Sequence, residues 1–458
     1  MNESVLHYIH LSILLIILFP FSLQSQEKTV PETVSAILQS AENQAVFWLK
    51  EKILPNHEIP DPTPLRHGLI QSYQVRPDDP DYPWIYHRSY TYDNALAVIA
   101  FTMTGEYQEA ELILSALYRN LLPDGSLWFS YNTRDNWPST EDSAGAVIRS
   151  GALAWAGYSA VYYLNERVRD NPRVLKENPS AKKILNMAVR IGEYLLAHQV
   201  LDSKDGRNGM VTGGWGEYNL VPGNKRVEDW SYQNDITWVS MEHNIDTYFL
   251  FRDLGGLTGE TRWIRGAGEV RRGLMSLWSE EYGQFFQGFR PETGVDKALP
   301  LDGASWGSLF LHAIAEDEKK IRCLEEMETR FYNEGEAVRG YRPYGDEPVF
   351  ENRQINTWSS PEAADTLWSD IDIVWGEGSL GAAVAYIRAG MEEKALNILE
   401  DTTVLMRNGG FLYASREVPF QFRADPSAAS TAWFIIAAEI LKKTKISEAF
   451  WGRDPGSP

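Results

Sequence analysis

Near the middle of the chain, Trp238-Val239-Ser240-Met241-Glu242-His243-Asn244-Ile245-Asp246-Thr247-Tyr248 sets two carboxyls, an imidazole, an amide and two aromatic rings side by side. Carboxyls titrate where proton transfer needs them, and flat rings cover the apolar faces of sugars. Glu242 and Asp246 stand four apart and share a helical face, whereas His243 between them does not. That spacing argues against a metal-ligand set. His243 suits a sugar hydroxyl, the Glu242 carboxyl or a purely structural hydrogen bond.

Similar groups recur along the chain as Tyr92-Asp93, Glu141-Asp142, Asp302 with Trp306, Trp375-Gly376-Glu377-Gly378, and Asp425. Each precedes or opens an apolar stretch, so helix capping competes with chemistry at every one, because acidic side chains near a helix start bind free N–H groups and suit the dipole. Capping is the favoured reading for Asp142, Asp302 and Asp425. Glutamate caps poorly, which singles out Glu242 and Glu377, and the glycines around Glu377 are expected to leave room for a ligand.

The elements that must position these groups are helices. Val30 to Ile53 is apolar on one side, and a proline-rich arm follows from Pro55 to about Tyr90. A repeated unit then begins, in which a helix apolar nearly all round is followed by a one-sided helix and a glycine turn leading to aromatics. The first helix of each pair is expected over Tyr92–Phe101, Ser143–Leu164, Trp238–Leu254, Asp302–Ala315, Trp375–Gly390 and Asp425–Leu441. The one-sided partners are expected over Glu106–Asn120, Ala181–Gln199, Thr258–Trp278, Lys319–Phe331 and Glu392–Met406, with Val30–Ile53 as the sixth. Inner helices of a closed ring touch neighbours on all sides while outer ones face water, so the predicted fold is all-α, an (α/α)6 toroid of six inner and six outer helices. The stretches 55–90, 202–233 and 335–372 are too long for tight turns and are expected to build one rim.

The chain from about Val30 to Leu441 resembles the six-hairpin glycosidase-like superfamily of carbohydrate-active enzymes. The resemblance is carried by Tyr92-Asp93-Asn94-Ala95, Glu242-His243-Asn244-Ile245-Asp246, Leu301-Asp302-Gly303-Ala304-Ser305-Trp306-Gly307, Trp375-Gly376-Glu377-Gly378 and Gly409-Gly410-Phe411-Leu412-Tyr413. It implies a carbohydrate cleft where the inner helices begin, with an inverting pair of carboxylic acids. Glycoside hydrolysis needs one protonated carboxyl and one ionised carboxylate. Glu377 in an aromatic setting is the expected acid, with Asp93 as base and Glu242 as its rival. His243, Asp246, Asp302, Trp238, Trp306, Trp375, Tyr92 and Arg149 are the expected sugar-binding residues, and a minority of Trp215, Trp230, Trp238, Trp306, Trp358, Trp368 and Trp375 is expected to stack on sugars.

Three other functions use the same residues differently. A polysaccharide lyase would draw on Arg149 and His243 to neutralise and deprotonate a uronate. A non-catalytic carbohydrate-binding toroid would use the carboxyls only as caps and hydroxyl ligands. A sugar isomerase would need two histidines, and of 8 in the chain only His243 and His312 fall near inner helices.

Composition narrows the partners. Across 458 residues, 63 acidic against 43 basic side chains give a net charge of -20, which disfavours nucleic acid, anionic membranes and polyanionic glycans, and points to a neutral or weakly charged oligo- or polysaccharide. Cys323 stands alone, so neither an intramolecular disulfide nor a cysteine zinc site can form. The 16 Trp and 22 Tyr suit sugar platforms as well as a helical core. No nucleotide-binding or nucleophile-elbow motif appears, and no cofactor is expected; calcium at Asp370 and Asp372 stays open. Residues 1–25, with an apolar run from Leu11 to Phe21, read as a secretory signal ahead of a single domain over 26–458, so export to the periplasm or beyond is expected.

Overall fold

The structure is a computed structural model that describes residues 32–454 other than 137, 139–142, 170, 172, 221–227, 347–365 and 419–420. Residues 1–25, Glu141, Asp142, Trp358 and the side chain of Trp230 lie outside the described set.

Among the described residues, twelve long helices alternate in burial along the chain. The even-numbered ones are α2 (Thr91–Met103), α4 (Ser150–Arg169), α6 (Met241–Thr258), α8 (Leu301–Ala313), α10 (Gly376–Arg388) and α12 (Ala428–Leu441). In α2 every residue except Tyr92 is buried, and in α10 all are. The odd-numbered ones are α1 (Glu32–Glu51), α3 (Tyr107–Arg119), α5 (Pro179–Ala197), α7 (Thr261–Met275), α9 (Asp317–Phe331) and α11 (Glu392–Thr402). These bury one stripe, as Ala110, Ile113, Leu114 and Leu117 do in α3.

Packing follows this division. Helix α2 packs on α4, α4 on α6, α6 on α8, α8 on α10, α10 on α12, and α12 returns to α2. The six apolar helices therefore form a closed cycle. Each outer helix leans on one or two of them, and α1, first in the chain, fits between the last inner helix and the first.

One backbone hydrogen bond repeats six times and sets how every inner helix begins. The N–H of the first helical residue donates to a carbonyl lying just past the next outer helix of the cycle. The pairs are Thr91 to Phe129, Ser150 to Gly213, Met241 to Gln287, Leu301 to Pro343, Gly376 to Tyr413 and Ala428 to Ser72, all at 2.8–3.0 Å. Short β-pairings flank these bonds, such as Arg88–Tyr90 with Ser130–Asn132 and Val239–Ser240 with Gly288–Phe289. Each bond satisfies one of the N–H groups a helix start leaves free, and together they level the six helix starts at one end of the ring.

Two expectations change here. Helix α4 begins at Ser150 rather than Ser143, because Ile148 and Arg149 pair with Trp215 and Gly214 as a strand. Asp93, Asp302 and Asp425 do not cap their helices. The cap positions are held by Tyr90, Pro300 and Ser427, and only Ser427 uses its side chain, accepting from the N–H of Ser430; Asp425 pairs with Arg423 instead.

The opposite end of the ring is filled by the chain's last described residues. The Trp451 ring stacks on Phe249 with centroids 4.7 Å apart and sits 5.0 Å from Trp155, and its backbone N–H donates to the Tyr158 hydroxyl. Arg388 donates to the carbonyls of Ser447 and Phe450, while Tyr248 and Arg252 hold Asp454. Trp451 and Phe450 are thereby buried on the ring axis.

Candidate active site

A cavity of about 570 Å³ opens at the end where the inner helices begin. Its wall follows from the register of those starts. The second residue of every inner helix lines it: Tyr92, Gly151, Glu242, Asp302, Glu377 and Ala429. One turn further, the sixth residue lies beneath the second, which places Trp155, Asp246 and Trp306 in the floor and Trp433 beneath Ala429, within hydrogen-bond reach of the Tyr92 hydroxyl. Trp155, Trp306 and Trp433 pack against one another and against Trp451, so the cavity is blind.

Five carboxyls from four helices face this space: Asp93, Glu242, Asp246, Asp302 and Glu377. Arg149 is the one lysine or arginine among the described lining residues. Taking carboxyls out of water disfavours the charged form. Burial raises Asp93 to about 7, with the nearby Ser72 hydroxyl pulling the other way. Glu377 rises to about 8, through burial and then the charges of Asp93 and Glu242, against the hydrogen bond it accepts from Tyr92. Asp246 and Asp302 are held well above the usual range, first by burial and then by Glu242. Glu242, in contact with Asp302, is also raised by burial.

The carboxyls fall into two groups. Asp93 and Glu377 stand among Tyr73, Tyr90, Tyr92 and Tyr413. The second group is Glu242, Asp246 and Asp302, with Asp246 at the floor level of Trp155 and Trp306 and the other two one turn above. One oxygen each of Asp93, Asp246 and Asp302 is buried with no hydrogen-bond partner among the described residues. Buried polar atoms ordinarily find partners, and these three border a cavity wide enough for a small ligand.

Glu377 is held in place by a relay. The Trp433 indole N–H can only donate, so the Tyr92 oxygen accepts it at 2.9 Å and the Tyr92 proton goes to Oε1 of Glu377 at 2.5 Å. The glycines beside Glu377 allow close packing of neighbouring atoms rather than room for a ligand. A Cβ on Gly376 would lie 2.6 Å from the Leu412 carbonyl oxygen, and one on Gly378 would lie 2.2 Å from the Trp375 ring.

His243 is neutral. Burial and then Arg149 lower it to about 3, and its Nδ1 lies 3.0 Å from the Ser150 hydroxyl. Its ring rests against Gly151, where a Cβ would come within 2.4 Å. Arg149 donates to the carbonyls of Ile148, Trp215 and Gly216.

Ten of the eleven site residues expected from the sequence line this cavity: Tyr92, Asp93, Arg149, Glu242, His243, Asp246, Asp302, Trp306, Trp375 and Glu377. Trp238 does not. It is half-buried behind the wall, with its ring 5.6 Å from that of His243. Trp368 is buried behind Tyr344 and Phe422, and Trp215 lines a different cavity. His312 lies in the last turn of α8, at the far end of the ring. Asp370 and Asp372 accept hydrogen bonds from Leu367, Asn333 and Glu336, and no cluster of three metal-ligating side chains occurs among the described residues. Trp155, Tyr73, Tyr413 and Phe422 are wall residues that sequence reasoning missed. Trp155 could have been found, since it holds the same sixth position as Asp246 and Trp306.

The chain matches no protein-family model and no curated protein sequence. Solved structures share its fold. D-mannose isomerase aligns with a TM-score of 0.58 at 9% identity, over 91% of this chain and 100% of that one. The GH63 mannosylglycerate hydrolase of Thermus thermophilus, in complex with Tris, aligns with a TM-score of 0.58 at 14% identity, over 87% and 99%. A glycosidase variant in complex with glucose aligns with a TM-score of 0.55 at 11% identity, over 90% and 99%. The chain is thus similar over nearly its whole described length to sugar-acting enzymes of more than one reaction type. No helix among the described residues is long and apolar enough to cross a membrane.

Proposed function

We propose that this protein is an exported glycoside hydrolase of the six-hairpin glycosidase-like superfamily, an (α/α)6 toroid that cleaves a neutral or weakly charged glycan with inversion. The observation that carries the reading is the convergence of five buried carboxyls, in two groups, on one blind, tryptophan-floored cavity. Asp246 is the general acid. Burial and then the Glu242 charge hold its carboxyl well above the usual range, which favours the protonated form, and one of its oxygens has no partner among the described residues. Glu377 is the general base. The Tyr92 hydroxyl donates to it and stabilises its ionised form against the burial that raises it to about 8.

In this mechanism a terminal sugar enters the cavity and rests on Trp155 and Trp306. Asp246 protonates the glycosidic oxygen, and Glu377 takes a proton from the water that attacks the anomeric carbon from the other side. Asp93, Glu242 and Asp302 accept sugar hydroxyls. The roles differ from the sequence expectation, in which Glu377 is the acid and Asp93 the base, because the Tyr92 relay favours a charged Glu377 and only the fold reveals the relay. A blind cavity suits attack from a chain end.

The alternatives fit less well. A lyase needs cationic groups against a uronate, and this cavity sets five carboxyls against one arginine, with His243 uncharged. An isomerase using two histidines lacks the second one, since only His243 lines the cavity among the described residues.

The test is a reducing-end assay of the purified chain on neutral and uronate glycans, read in parallel at 235 nm for unsaturated products. New reducing ends without absorbance, lost in Glu377→Gln and Asp246→Asn, are expected. Absorbance on a uronate polymer, or activity unaffected by both substitutions, would sink the proposal.

A further inference from the structure

A second cavity, of about 530 Å³, lies outside the ring against the C-terminal half of α5. Residues alternate across the wall between the two spaces. Phe129 and Arg149 face the central cavity, while their neighbours Trp128 and Ile148 face the outer one. Nothing in the proposed mechanism uses this outer space.

Its lining combines rings with uncommitted polar atoms. Trp128 and Trp215 are half-buried, with centroids 6.0 Å apart and planes at 56°. Tyr194 stacks on His198 at 4.2 Å. Tyr194 is only 7% exposed, yet its hydroxyl, which borders the cavity, has no partner among the described residues. His198 Nδ1 lies 2.8 Å from the Tyr194 carbonyl, which can only accept, so Nδ1 donates there and Nε2 is the ring nitrogen left for a ligand.

Charge decides the class of ligand. No lysine or arginine lines the cavity among the described residues, so an anionic sugar or a phosphate would meet carboxylates and nothing to offset them. Of the three carboxylates, Asp124 already accepts from Ser126 and Glu193 pairs with Arg262. Asp235, exposed, is the one with no partner among the described residues, which is too little negative charge to select a cation. Rings that cover apolar faces, together with a hydroxyl, an imidazole nitrogen and one carboxylate, suit neutral hydroxyl-rich rings.

We propose that this cavity is a second saccharide-binding site, in which Trp128 and Trp215 cover the faces of neutral hexose units and Tyr194, His198 and Asp235 bind their hydroxyls. The identity of the saccharide as part of the glycan that the enzyme cuts rests on the proposed function. The binding itself does not.

The test is calorimetry with neutral tetrasaccharides, namely an α-1,4- and a β-1,4-glucotetraose and a β-1,4-mannotetraose. It is run on the Glu377→Gln chain alone, with Trp128→Ala added, and with Tyr194→Phe and Asp235→Asn added together. The second combination preserves the packing should Trp128→Ala fail to fold. The expected result is a binding event weakened roughly tenfold or more in both combinations, while Trp128→Ala alone turns over a short aryl glycoside as the parent chain does. Unchanged binding of all three sugars in both combinations would overturn the proposal, as would binding of tetramethylammonium in place of any sugar. Trp128-dependent binding without hydrolysis by the parent chain would overturn the hydrolase reading alone, and hydrolysis without Trp128-dependent binding would overturn this one alone.

Discussion

The hydroxyl of Tyr92 donates to Oε1 of Glu377 across 285 residues of sequence, joining the second residue of one inner helix to the second residue of another. The bond is possible because both helices start at the same level, and it gives Glu377 a donor that favours its charged form.

Opposite shifts in the pH profile follow from its surroundings. As the base, Glu377 must be ionised, so kcat/KM should rise with pH towards about 8. Tyr92→Phe removes the donor that lowers its pKa and should move this limb to higher pH, with a loss of roughly ten- to hundredfold in rate, the scale of a hydrogen bond to a charged group. Asp93→Asn removes a charge that raises it and should move the limb to lower pH. Profiles of kcat/KM from pH 5 to 10 check both, and a shift of the two variants in the same direction would contradict the assignment.

Replacing the acid or the base should affect turnover far more than binding. Asp246→Asn and Glu377→Gln are each expected to lower kcat by roughly 10²–10⁴-fold, the usual share of a general acid or base, with KM changing little. Steady-state kinetics on one cleaved glycan measure the split.

Stability should fall as pH rises. A carboxyl whose folded pKa is raised above its unfolded value contributes stability that is fully present below the unfolded pKa and lost as pH climbs through the folded one. For Glu377 that window runs from 4.5 to about 8, and for Asp93 from 3.8 to about 7. The wild-type melting temperature is therefore expected to drop between pH 4.5 and 8. Glu377→Gln, which carries no ionisable group, should melt above wild type at pH 8 and show no such advantage at pH 4.5. Calorimetric scans across that range provide the check.

The axial plug should matter more than an aromatic at the rim. Trp451→Ala removes a ring packed on Trp155, Phe249 and Phe450, and large buried aromatics cost about 3–5 kcal/mol when cut to alanine. Trp238→Ala, at a half-buried position, should cost well under that. Denaturant titrations of the two variants compare them directly.

Much of this is legible in the sequence, for a physical reason. All-round apolar and one-sided apolar helices differ in pattern, so their alternation yields the order of the twelve helices. Acidic residues near helix starts can then be collected at one end. What stays hidden depends on level and partner. The six hydrogen bonds that align the starts join distant backbone atoms and leave no mark on side-chain pattern, so the strand at Ile148–Arg149 reads as helix. Asp93 and Asp302 look like caps because a cap and a second-residue carboxyl differ by only one or two positions. The Tyr92 donor to Glu377, which changes the role proposed for that glutamate, follows only from closure of the ring.

The most direct test of the central claim is proton NMR in deuterated water of a neutral glycan during cleavage by the wild-type chain. Hydrolysis through Asp246 and Glu377 predicts a free reducing sugar that first appears as the anomer opposite to the bond cleaved, with no deuterium at C2, and no product from Glu377→Gln. Deuterium entering at C2 of a sugar without chain cleavage, a vinyl proton from an unsaturated product, or first release of the retained anomer would contradict the account.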